Sequence, residues 1–260
     1  MTAKEGDTLA IPSGSLQPFV SWVLPLLQAP VRLVCSHSDI EMPFGAISQT
    51  EFQSLVESPQ IVRVYCQNLT LSHPKVRHIP IGLDYHTLRN HIGMMHPWGP
   101  GCMPAEQEKT LLSVRQTMIP NIERRRLCYS NFHHAAFGIN QRGDRQELLH
   151  KVPHSLIHFA EQYVSRESSW RHQTDYAFVL SPRGGGYDCH RTWEALLLGC
   201  IPIVKRSGLD PVFADLPVLL VDDWSDITEE LLEKTQTEFS TKEFDRKKLC
   251  LAYWVSYIRL

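Results

Sequence analysis

The chain carries seven cysteines in 260 residues, at 35, 66, 102, 128, 189, 200 and 250, without a single C-x-x-C pair. An odd, unpaired set of this kind does not read as a disulfide framework. Several lie inside apolar stretches such as Val31-Arg-Leu-Val-Cys35, so buried free thiols in a reducing compartment are expected. Long apolar runs are missing as well. The longest, around Phe19 to Val31 and Ala195 to Val204, are broken by Pro25 and Pro202 and fall short of the roughly 18 residues that a membrane span needs. The opening Met-Thr-Ala-Lys-Glu-Gly-Asp lacks the apolar core of a signal peptide. These absences together lead to the expectation of a cytoplasmic protein that does not insert into a membrane. There is no basic excess either: 26 Lys and Arg against 28 Asp and Glu leave a formal charge of −2. Aromatic residues form no sheet-surface stacking pattern, and a nucleic-acid partner is not expected.

What is present is an ordinary globular composition, 43% hydrophobic and 21% charged, enough for one large or two small cores. Short β-branched runs alternate with longer segments of helical character, the order that builds parallel sheets flanked by helices. The runs are Val31 to Cys35, Ile61 to Cys66, His78 to Ile81, Arg126 to Tyr129, Tyr176 to Leu180, Ile201 to Val204 and Val218 to Val221. From Asn90 to Pro104 the chain is rich in Gly, Pro, Met and His, which reads as a loop or linker. A helix over Ala105 to Met118 follows. A boundary near residue 120 would divide the chain into α/β halves over 1–120 and 121–245, with a ligand cleft between the carboxyl ends of their strands. The stretch Phe244 to Leu260 reads as helix, and residues 246–260 are expected to pack back on the first half.

Chemistry concentrates in Tyr176-Ala-Phe-Val-Leu-Ser-Pro-Arg-Gly-Gly-Gly-Tyr-Asp-Cys-His-Arg-Thr-Trp-Glu-Ala-Leu-Leu-Leu-Gly-Cys-Ile-Pro-Ile-Val204. It parses as strand, glycine-rich turn, helix, strand, with Asp188 the expected N-cap and Gly199 the stop. His190 and Glu194, spaced i and i+4, then share a face beside Arg191, while Trp193, Leu196 and Leu197 can turn to the core. Three glycines allow close backbone approach, the helix start supplies unpaired N–H groups, and Arg183 and Arg191 add cationic forks. That set describes a diphosphate site, with Glu194 placed to accept from a ribose diol. The segment matches neither G-x-x-x-x-G-K-[ST] nor G-x-G-x-x-G, which argues against a P-loop or a standard dinucleotide fold. Arg142 and Arg145, in Asn140-Gln-Arg-Gly-Asp-Arg145, are expected to reach the same place from a neighbouring loop. Arg124-Arg-Arg126, just before a strand, reads instead as a solvated face or an edge gatekeeper.

Residues 176 to 232, including Asp222-Asp223-Trp224, resemble the nucleotide-sugar half of exostosin-like glycosyltransferases, and most nearly the small xylosyltransferases encoded by chlorella viruses. Weaker echoes are Gln67-Asn68, His73-Pro-Lys-Val76, Ile79-Pro-Ile-Gly-Leu-Asp84 and Tyr129-Ser-Asn-Phe132. The resemblance implies a GT-B fold of two Rossmann-like domains whose parallel sheets face a cleft. It also implies transfer of xylose from UDP-xylose to a sugar hydroxyl of a glycan acceptor, with inversion. The donor-binding set is then Asn131, Arg142, Arg145, Ser181, Arg183, Gly184, Gly185, Tyr187, Asp188, His190, Arg191 and Glu194. Animal exostosins carry a membrane anchor and a longer chain, so a Golgi setting and a heparan-type substrate do not carry over.

Transfer without a metal needs a base in the first half. Cys35-Ser-His-Ser-Asp-Ile-Glu41 follows a strand and offers His37, Asp39 and Glu41, and Asp84 stands in a similar place with His86 two residues on. Asp39 is the leading candidate, with His37 and Asp84 behind it; helix capping is the alternative role for Asp39. No D-x-D motif stands in a suitable position, and the His133–His134 and His154–His158 pairs have no third ligand at zinc-type spacing, so no metal site and no obligatory cofactor are expected. Alternative readings are a transferase using a GDP- or UDP-linked hexose or fucose, and a sugar-nucleotide-binding protein without turnover.

Overall fold

The computed structural model describes residues 3–132, 143–160 and 164–259. Its first half is built on four parallel strands in sequential order: β1 (Thr8–Pro12), β2 (Val31–Ser36), β3 (Ile61–Cys66) and β4 (Val76–His78). In β2 the residues alternate in burial, so Val31, Leu33 and Cys35 enter the core while Arg32 and Val34 turn to the other face. Short helical turns from Ser13 to Leu26 and helix α1 (Gln49–Glu57) cover the core face, where Leu16, Phe19 and Leu55 pack with Leu33 and Val64. The start of α1 is held by a capping box: the Ser48 hydroxyl accepts from Glu51 N and the Glu51 carboxylate accepts from Ser48 N.

The expected loop between Asn90 and Pro104 contains a small antiparallel pair, β5 (Met95–His96) and β6 (Gly99–Pro100). Helix α2 (Pro104–Gln116) follows, and proline at its first position has no N–H to leave unpaired.

The second sheet has five parallel strands in the order β11-β10-β9-β7-β8. They are β7 (Arg125–Ser130), β8 (Ile157–Phe159), β9 (Tyr176–Leu180), β10 (Ile201–Lys205) and β11 (Leu219–Val221). Every residue of β9 is buried, as a central strand covered on both faces requires. One face packs Phe178 and Ile203 against Leu148 and Trp224; the other packs Tyr129 and Val179 against Leu111, Trp170 and Ala195. The helices concerned are α3 (Asp144–Lys151), α4 (Arg166–Gln173), α5 (His190–Leu197) and α6 (Glu229–Thr241). The chain is therefore an α/β structure of parallel sheets. Among the described residues no helix is long and apolar enough to cross a membrane.

The closing segment is a 3-10 turn over Arg246–Leu249 and then α7 (Leu251–Arg259). This last helix reaches the first sheet: the buried Tyr65 of β3 donates its hydroxyl to the Tyr257 carbonyl at 3.2 Å, and their rings meet edge-on.

The expectation for Arg124 does not hold. Arg124 is buried, with Nη1 donating to the Leu198 carbonyl at 3.0 Å and Nε and Nη2 donating to the Ile119 carbonyl. Leu198 closes α5, so this guanidinium satisfies a helix-end carbonyl and sits at the negative end of the helix dipole. Burial of a charge is tolerated because its donors are paired.

Candidate functional site

Strand β9 ends at Leu180, and the Ser181–Cys189 loop carries the chain to α5. Two arginines converge on this loop. Arg191, in the first turn of α5, donates from Nε to Asn131 Oδ1 at 2.9 Å and from Nη1 to the Pro182 carbonyl at 3.4 Å. Arg145, in the first turn of α3, donates from Nε to the Arg183 carbonyl at 3.2 Å. Both guanidiniums stand over the Phe132 ring, at 5.7 Å for Arg145 and 5.5 Å for Arg191. Burial lowers the pKa of each, and the Arg191 charge lowers that of Arg145 further. Arg191 has no carboxylate in an ion pair among the described residues. Two like charges in a poorly solvated place favour the approach of an anion.

The loop is anchored from beneath by a residue the sequence did not single out. Asp144 is buried; it accepts from Arg183 N and from the Trp224 indole, each at 2.8 Å. Above, the Arg183 guanidinium lies 4.3 Å from the Tyr187 ring centre. Ser181 is buried and shares a 2.8 Å hydrogen bond with the Thr192 hydroxyl, which ties the loop to α5.

Segments from the carboxyl ends of the first sheet meet the same loop. A Cβ built on Gly185 would stand 2.1 Å from Asp39 Oδ2, and one on Gly186 would stand 2.7 Å from Asn68 Oδ1. Only glycine lets these chains approach so closely. Asn68 is fully buried with φ +51°, donates to the Ser38 carbonyl at 3.1 Å and accepts from Asp188 N at 2.8 Å. Asp39 itself is exposed. His37 is also exposed, with φ +61°; its N–H donates to Gln67 Oε1 and its Nδ1 lies 2.8 Å from the Ser36 hydroxyl. Glu41 accepts from the Thr70 hydroxyl at 2.9 Å.

The N-cap of α5 is Cys189, without a side-chain cap bond, and not Asp188. Asp188 is instead buried, accepting from Ile81 N at 2.7 Å and from the Trp193 indole at 2.8 Å. Burial lifts its carboxyl to about 6 against those bonds. Capping would have required the carboxylate to turn onto the first-turn N–H groups; it is held instead between Ile81 N on the facing chain and the Trp193 indole of α5 itself. His190 Nδ1 donates to the Gly82 carbonyl at 2.7 Å, a second tie to the same segment.

Glu194 faces inward. It pairs with the buried Arg166 and accepts from the Trp170 indole at 3.0 Å. Asp84 is buried: Thr87 donates to it from both N and Oγ1, at 2.9 and 2.8 Å, and His86 Nδ1 lies 3.0 Å away. Burial raises its pKa, but the Thr87 bonds and the charges of Arg166 and His190 outweigh that and hold it below the ordinary carboxylate range. Asp84 thus initiates the single turn His86–Arg89 and is poorly suited to take up a proton. Arg142 lies outside the described residues. Of the sequence-derived residues, Asn131, Arg145, Arg183, Gly184, Gly185, Tyr187 and Arg191 come together around the loop, with Asp39 against it.

No family model matches this sequence, and no curated protein matches it. Among solved structures, the N-terminal domain of Candida albicans trehalose-6-phosphate phosphatase is similar at a TM-score of 0.40 and 11% identity, covering 98% of this chain and 70% of that one.

Proposed function

We propose that the chain is a glycosyltransferase of GT-B type that takes xylose from UDP-xylose to the hydroxyl of a sugar acceptor. The observation that carries the reading is the pair Arg145 and Arg191, held over Phe132 beside the glycine loop and the first turn of α5. A leaving diphosphate places its negative charge beside this pair, and protein cations together with helix N–H groups stabilise it as the bond to the sugar breaks. Residues 1–120 are the acceptor-binding unit in this reading, 121–245 the donor-binding unit, and 246–260 the helix that closes on the first. The identity of the sugar, the uracil base and the inversion rest on the resemblance to exostosin-like and viral xylosyltransferases.

Asp39 is the base. Its contact with Gly185 sets a carboxylate next to the donor loop. It accepts the acceptor hydroxyl's proton while that oxygen bonds to the anomeric carbon and the bond from carbon to diphosphate oxygen breaks on the opposite face. His37 and Glu41 are the nearest substitutes on the same loop. Glu194, with both carboxylate oxygens engaged by Arg166 and Trp170, holds α5 in place behind the site.

Calorimetry with UDP, GDP and UDP-xylose tests the site. Arg191→Ala should weaken UDP by roughly 1.5–3 kcal/mol, the worth of a charged hydrogen bond; wild-type affinity would remove α5 from the site. A mass-spectrometric acceptor screen with UDP-xylose tests the reaction. Tight nucleotide binding without any product would leave a nucleotide-binding protein and reject the transferase.

A further inference from the structure

We propose that Asp84, His86 and His190 form a binding site for a divalent transition metal, zinc by the type of its donors, that clasps the segment after β4 to the start of α5. One donor atom from each of the three lies within 4.8 Å of the others, and Asp84 Oδ1 is 3.0 Å from His86 Nδ1. Zinc bonds of about 2.0–2.2 Å to nitrogen and oxygen place tetrahedral ligands roughly 3.3 Å apart, so a small closure of His190 on the other two completes three corners. Water takes the fourth.

The groups around two of the three residues, His190 and Asp84, already orient them as ligands. A carbonyl can only accept, so the 2.7 Å contact with Gly82 O puts the proton of His190 on Nδ1 and leaves the Nε2 lone pair free. This is the outer-shell arrangement that fixes metal-bound imidazoles. Thr87 holds the Asp84 carboxylate with two donors, so it loses little freedom on binding. The rings of His86 and His190 stand 5.4 Å apart, tilted by 50°. Asp84 is buried whereas the His86 side chain is 63% exposed, which leaves a path for the ion. The neighbouring cation, Arg166, is already paired with Glu194. Two imidazoles and one carboxylate suit zinc, nickel or cobalt better than magnesium or calcium, which prefer all-oxygen shells.

The site is separate in direction from the arginines. Consecutive helical residues point about 100° apart: His190 turns to Gly82, while Arg191 turns to Asn131 and Pro182. The metal therefore joins two chain segments without touching the diphosphate. Sequence spacing concealed it, because two ligands are in the first half of the chain and the third is in the second.

Titration of the metal-stripped full chain with cobalt, followed in the visible region, reads the site directly. The expected result is one cobalt per chain with nitrogen and oxygen ligand-field bands, displaced by zinc. His86→Gln should weaken uptake tenfold or more. Zinc should raise the thermal midpoint of the wild type and not that of His86→Gln. Seven free thiols could also take the ion, but they would add an intense thiolate charge-transfer band in the near ultraviolet. That band, uptake unchanged in His86→Gln, or no stoichiometric uptake would each overturn the proposal and leave Asp84 and His86 as an ion pair only.

Discussion

A carboxylate in water is a weak base for a sugar hydroxyl, so proton transfer to Asp39 has to come late, once the new bond to the anomeric carbon has advanced. Asp39→Asn keeps the shape and removes the basicity. Turnover should fall by ~100-fold or more with donor affinity nearly unchanged; near-normal turnover in the folded variant would move the base to His37 or Glu41. Gly185→Ala offers an independent check, since its new methyl would overlap the Asp39 carboxylate and should lower turnover by displacing it. That Arg145 and Arg191 come together at the glycine loop was legible in the sequence because a guanidinium names its chemistry wherever the chain places it; Asn131 entered only through the family resemblance. Asp188 and Glu194 were read as facing a ligand and Arg124 as facing solvent. Their partners, Ile81 for the first, Arg166 and Trp170 for the second, and Ile119 and Leu198 for the third, depend on tertiary packing that no local spacing expresses.

Helix α5 shows what an element needs at both ends. Its carboxyl end stops at Gly199, whose φ of +69° favours glycine, and whose position lies 3.1 Å from Arg124 Nη2 and 3.2 Å from Met118 Cε for a built Cβ. Gly199→Ala should cost about 1–2 kcal/mol, from the left-handed backbone and from crowding of a buried arginine, read as a lower urea midpoint with an unchanged slope. The stop was legible because a glycine between an apolar helix and an apolar strand has few other uses. Strands β3 and β9 were legible for a similar reason: their apolar runs match their observed bounds, Ile61–Cys66 and Tyr176–Leu180. The third expected strand, by contrast, lies earlier, at Val76–His78. Strands β1 and β8 went unseen. The first is an edge strand with no buried residue and the second has three residues, too little burial to leave a periodic trace.

At the scale of the molecule, one surface cluster joins elements distant in the chain. Glu147 of α3 accepts from Lys151 and from Lys205 of β10, and Lys151 also reaches Asp223 at the turn into Trp224. The Lys151 bonds, with Lys205 on Glu147 and Ser225 on Asp223, hold both carboxyls below their ordinary range. Folded values below unfolded ones mean that the stabilisation is present above the unfolded carboxylate values near 4 and is lost as the pH falls through the folded values. Asp223→Asn should therefore flatten the acid limb of the stability curve below about pH 4. In the wild type, 1 M salt should have a similar and partial effect because the cluster is solvent-facing.

The contact of Tyr65 with Tyr257 bears on the order in which the protein can be made. Chains emerge from the ribosome amino end first, and units that are complete begin to fold while the rest is still being added. The first sheet cannot be completed in that way. One side of β3 waits for a helix translated almost two hundred residues later, after the whole second sheet, and until then Tyr65 has neither its ring partner nor its carbonyl. Ribosome-bound chains that end at residue 245 and are carried clear of the exit tunnel by an added linker should hold a second sheet that resists protease and a first sheet that is still cut, whereas chains that run to residue 259 before the same linker should resist in both. Protection of the first sheet in the shorter chains would show that it closes without its last helix.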